Sequence, residues 1–234
     1  SALAGPTVIT EDELWGEHVW IASRSPYVIN KDLTTRHKAR LRALPGTNIQ
    51  LDTTNGAVEF KTSNVGQVWL TGEEGKRVIV EQVGPLGGEI AFNAQDDKAA
   101  VFFTQEVDPV NRYTLDYFPL SGEILRYVDF KKEADLAMAQ YSYVIGHHIN
   151  AIGISHLSFD LLDGGVFRNS MIYAATAKSI DVTFDIAFPT RPGWYNYSNF
   201  TSLSNSTITA VGEGRSWDMT FQHAENVDFD KLKS

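Results

Sequence analysis

Alternation with a period of two runs through most of this chain, and it constrains the fold more than any other sequence feature. It is plainest over residues 180–188, where Val182, Phe184, Ile186 and Phe188 share one side and Asp181, Thr183 and Asp185 the other. Successive side chains of a strand point to opposite sides, so this spacing describes a strand with one buried and one wet face. Parallel sheets are ordinarily covered on both faces, so a sheet wet on one face reads as antiparallel.

Turn signals divide the alternating stretches into hairpins. Residues 47–62 carry Asn55-Gly56 between two alternating runs, the strongest short-range hairpin signal. Strands at 67–70 and 77–81 are expected to pair across Gly72 to Gly75, and strands at 89–93 and 99–105 across Gln95, Asp96 and Asp97. Strands at 112–118 and 123–130 flank Pro119 to Gly122, and the last hairpin joins 207–211 to 216–222. Between residues 131 and 146 the period changes: Ala134, Ala137, Met138, Tyr141, Val144, Ile145 and His148 recur at threes and fours, which predicts one amphipathic helix. Thr10 followed by Glu11, Asp12 and Glu13 predicts a short N-terminal helix with acids in its first turn. No low-complexity linker divides the chain and no repeat of fixed length stands out, so residues 1–234 read as a single β-rich domain. The expected fold is mainly β: an antiparallel two-sheet sandwich or jelly-roll-like barrel, with the helix at 131–146 laid across it.

Composition excludes several functions. Twenty basic against 29 acidic residues give a net charge of −9, which disfavours nucleic acid as the main partner because phosphate binding is driven by Lys and Arg. The chain has no cysteine, which removes disulfides, thiol catalysis and zinc–thiolate sites. No run approaches the ~20 apolar residues that a membrane-spanning helix needs. His147 and His148 diverge if helical, and His156 and Asp160 lie ~13 Å apart along a strand, so no metal site is expected. Asp181 and Asp185 are equally far apart, whereas Glu59, Glu81, Glu89 and Glu123 could meet only across strands. No nucleophile elbow, phosphate loop or dinucleotide fingerprint occurs, so no catalytic residue and no cofactor is expected.

Two segments stand out as contacts. Arg36, Lys38, Arg40 and Arg42 fall on one side of a strand, a basic row suited to an acidic protein surface. The same chain supplies such surfaces in Glu11, Asp12, Glu13 and Glu17 and again in Asp228 and Asp230, which makes contact between copies the simplest pairing. Trp194, Tyr195 and Tyr197 form an aromatic loop with Asn196 and Asn199, suited to a protein interface or a sugar. The favoured expectation is a non-enzymatic structural subunit that self-associates with its own copies or other assembly proteins. Such a subunit would be a capsid, tail or appendage component of a virus or phage, placed in a virion or outside the cell. The alternative is a carbohydrate-binding or carbohydrate-active protein on a β-sandwich.

Overall fold

The computed structural model describes residues 4–36, 39–62, 66–92, 123–140, 143–185, 197–211 and 218–231. Fifteen strands make up its first part: β1 (Thr7–Val8), β2 (Glu13–Leu14), β3 (Glu17–Trp20), β4 (Tyr27–Ile29), β5 (Leu33–Thr35), β6 (Arg40–Ala43), β7 (Asn48–Asp52), β8 (Val58–Thr62), β9 (Gln67–Thr71), β10 (Val78–Val83), β11 (Gly87–Phe92), β12 (Glu123–Arg126), β13 (Val128–Lys132), β14 (Asp135–Gln140) and β15 (Val144–Ile152). Each strand from β1 to β12 pairs in parallel with the strand three places further along. Three strands therefore make one coil, and the coils stack into a three-sided parallel β-solenoid. The first face is β1-β4-β7-β10-β13, the second β2-β5-β8-β11-β14 and the third β3-β6-β9-β12. β15 bends round a corner and joins the first and third faces, pairing with β12 through its beginning and with β13 through its end.

Beyond β15 the coils tighten. β16 (Leu157–Arg168), β17 (Ile172–Asp185), β18 (Tyr197–Val211) and β19 (Asp218–Lys231) each run along one face, turn the same corner and continue on the next. That corner is made by a residue with positive φ in successive coils: Tyr127, His148, Gly164, Ser179, Asn205 and Asn226. Asn226 donates its amide to Asn205 Oδ1 at 2.7 Å, which continues the row as a side-chain ladder. Gly164 is required beneath its neighbour, because a Cβ there would lie 3.0 Å from the His148 ring.

The core is a set of inward columns. On the first face Tyr27, Ile49, Val80, Phe130, Ala151, Phe167, Val182 and Ile208 are in register, and all are buried. At the corner between the first and second faces, buried Gln82 closes three successive coils. Its Oε1 accepts from the backbone N–H groups of Glu133, Ala134 and Asp135, while its amide donates to Thr53 Oγ1 and the carbonyls of Gly84 and Leu86.

The antiparallel sandwich is thus overturned: both sheets are parallel throughout, with 14 and 5 strands. The strands at 48–52 and 58–62 do form, but on different faces, and Asn55-Gly56 turns a corner instead of closing a hairpin. In a solenoid the connections pass round corners, not over the sheet, so a parallel face stays wet on its outside. The helix at 131–146 is replaced by the end of β13, all of β14 and the start of β15. Buried Met138 and Val144 and the more exposed Ala137 and Ile145 together imitate helical spacing, while the buried residues within each strand, Leu136 and Met138 or Ile149 and Ala151, keep a step of two. The N-terminal helix is likewise absent, and Glu13 begins β2. The expected strands at 99–105 and 112–118 lie outside the described residues.

Candidate functional site

β19, like β1, β2 and β3, is paired on one side only among the described residues. β19 is in register with β18 from Tyr197–Asp218 to Thr209–Lys231, with a single irregularity near Thr207. No strand covers its other side among the described residues. Met219, Phe221, Val227 and Phe229 pack against the core but remain only partly buried. An edge of this length presents a row of unpaired backbone donors and acceptors, a template for another strand.

The basic row falls on the third face and its approach. Arg36 donates to Glu13 Oε1 at 2.6 Å, and Arg40 lies 3.9 Å from Glu17, so the two expected charge sets meet within one chain in adjacent coils. Asp12 pairs with Lys31 at 2.8 Å. Arg40 also sits over the Trp69 ring at 4.5 Å. Arg42 is exposed beside an outward column of Val19, Trp69, Ile124, Ile145 and Leu161, an apolar stripe that sequence reading missed because its members are far apart in the chain. Glu11 is exposed, and Asp228 lies on the outer side of β19. Lys38, Trp194 and Tyr195 lie outside the described residues. Tyr197 and Asp230 lie within β18 and β19, at the start of one and near the end of the other.

Of the four glutamates considered, two come together. Glu59 and Glu89 are in register on the outside of the second face. Burial pushes the Glu89 carboxyl above its ordinary value, and the Glu59 charge adds to the rise. Glu59 lies 3.3 Å from Lys61, and its backbone N–H donates to Asp32. A protonatable carboxyl beside an ionised one can exchange a proton with a ligand. Glu81 lies on the first face and accepts from Asn48 and Gln50, and Glu123 is buried.

The histidines remain apart. His147 is held below its ordinary value by burial, against the pull of Asp163, which lies 3.8 Å away and also contacts Lys178. His148 stacks on Tyr127 at 4.6 Å. Burial likewise lowers His156, whose ring lies 4.6 Å from Tyr173. Asp160 is raised by burial, opposed by the N–H of Val144, and also accepts from Gln140. Among the described residues no three such side chains converge to hold a metal ion. Nor is any helix long and apolar enough to cross a membrane.

Comparison with known proteins finds no matching family model, no similar curated protein and no similar solved structure.

Proposed function

We propose that this chain is a non-enzymatic structural subunit that works by self-association, in the class of capsid, tail or appendage components. The edge of β19 carries the reading: a 14-residue strand, in register with β18 on one side and with no strand on the other among the described residues. Edge strands of this length are normally shortened, charged or covered, because they recruit further strands. Solenoids in particular rely on a polar terminal coil to stay apart. The coil of β19 keeps four half-buried apolar side chains on its inner side. The stripe around Trp69 and Arg42 adds a lateral surface rich in the residue types that dominate protein contacts. The carbohydrate-directed alternative keeps Glu59 and Glu89 in its favour, without the aromatic loop, which lies mostly outside the described residues.

The test is light scattering on a size-exclusion column across protein concentrations. A defined oligomer that grows with concentration is expected. A 26.0 kDa monomer at every concentration would remove the reading.

A further inference from the structure

We infer that the third face binds the same face of a second copy, the two solenoids lying antiparallel about a two-fold axis that runs along the strands between β16 and β17. The inference rests on the self-association reading and adds to it the face used, the partner and the register.

A column of outward side chains climbs this face beside the positive-φ corner. In register it reads Arg126, His147, Asp163, Lys178, Ser204 and Glu225. Arg126, Lys178 and Glu225 are exposed, and Asp163 is half-buried. The order of charges is antisymmetric about its middle. Positive Arg126 mirrors negative Glu225, negative Asp163 mirrors positive Lys178, and His147, lowered by burial, mirrors the neutral Ser204. A two-fold axis along the strands keeps each column opposite itself and reverses its order, as an isologous contact allows. It therefore sets Arg126 opposite Glu225 of the copy and Asp163 opposite Lys178 of the copy, each twice. Within one chain Asp163 already lies 3.4 Å from Lys178, so the four charges at the axis close a ring of alternating sign.

Neighbouring registers fail. Moving the axis by half a coil sets Asp163 against Asp163 of the copy, or Lys178 against Lys178. Moving it by a whole coil sets Arg126 against Lys178, or Asp163 against Glu225. Like charges opposed across an interface exclude the pairing. A two-fold axis parallel to the solenoid fails as well, because it lays the charged column on its apolar neighbour, with Leu161 against Asp163.

That neighbouring column fits the antiparallel register. It reads Ile124, Ile145, Leu161, Thr176, Ser202 and His223. Reversal lays Leu161 on Thr176 and Ile145 on Ser202, so bulky apolar side chains of each copy meet small ones of the other. A face about 24 Å long and about 13 Å wide is small for a permanent interface, so the contact is expected to be reversible and weakened by salt.

Arg126 and Glu225 stand five coils apart, ~24 Å along one chain, so they can meet only across copies. Arg126→Glu and Glu225→Arg are each expected to weaken association about tenfold or more, read by sedimentation equilibrium, with an unchanged melting temperature. An equimolar mixture of the two variants is expected to restore it, because each copy then supplies the charge that the other lacks. Should Arg126→Glu melt early, Lys178→Glu mixed with Asp163→Lys puts the same question to the inner pairs. If the unmodified chain associates, single variants that match it, or a mixture no tighter than either variant alone, would overturn the face-to-face contact and leave self-association standing. A monomer at all concentrations would overturn both.

Discussion

Gln82 shows how much of the fold depends on single polar side chains at corners. A solenoid corner exposes backbone groups that no sheet ladder satisfies, and one buried amide meets three N–H groups of the next coil while donating to its own. Leaving buried backbone donors unpaired costs ~1–3 kcal/mol each. Gln82→Ala is therefore expected to lower stability by about 3 kcal/mol or more, measured by denaturant unfolding. An effect under about 1 kcal/mol would mean that water replaces the amide. Sequence reading could not single this residue out. Gln82 sits in an alternating run, and its partners, Thr53 and the 133–135 turn, are some 30 and 50 positions away. The serine hydroxyls of Ser170, Ser198 and Ser206 work alike, each accepting from the backbone of the coil before it.

At the scale of the element, strands were legible and their pairing was not. β7, β8, β9 and β10 fall where alternation predicts them, because inward and outward positions alternate in a parallel strand as they do in an antiparallel one. What decides the direction of pairing is where the chain goes after each turn, and Asn-Gly serves a hairpin and a solenoid corner equally well. The second face also carries an interaction that only the pairing creates. Glu59 and Glu89 become cross-strand neighbours of like charge, and such pairs destabilise a sheet. Glu89→Gln is expected to raise stability at neutral pH by roughly 0.5–1 kcal/mol, on the scale of cross-strand pairs. Because a raised carboxyl means that the folded state holds its proton more tightly, the gain should vanish in acid, where Glu89 is protonated. Equal gains at both pH values would show that the charge pair is not its cause. Of the candidate contact residues, Arg36 and Arg40 were legible as a basic row. That their acids lie one coil earlier was not, since coil length varies.

For the whole molecule, that variation hides the architecture. Along the first-face column, successive members are separated by as few as 15 residues, from Phe167 to Val182, and as many as 50, from Val80 to Phe130. No fixed period survives such spacing. The half-buried histidines give the assembled stack a pH signature. His147 and His156 are both held below their ordinary value of 6.5, so the unfolded chain binds more protons between the folded and ordinary values. Their contribution is fully present above that window and is lost as pH falls through it. The melting temperature is expected to drop on acidification below about pH 6.5, and His156→Phe, which keeps a ring against Tyr173, should flatten the slope. An unchanged slope would place the effect elsewhere. The coil lengths also divide the three corners by what they tolerate. Between the second and third faces the chain inserts two residues after β2 and the whole of 93–122 after β11, yet the strands on either side stay in register. At the positive-φ corner, from β12 onward, it inserts a single residue each time. Foreign sequence grafted at the first of these corners would be carried as cargo, whereas one residue added at the second, from β12 onward, would interrupt the row of positive-φ residues that stack there.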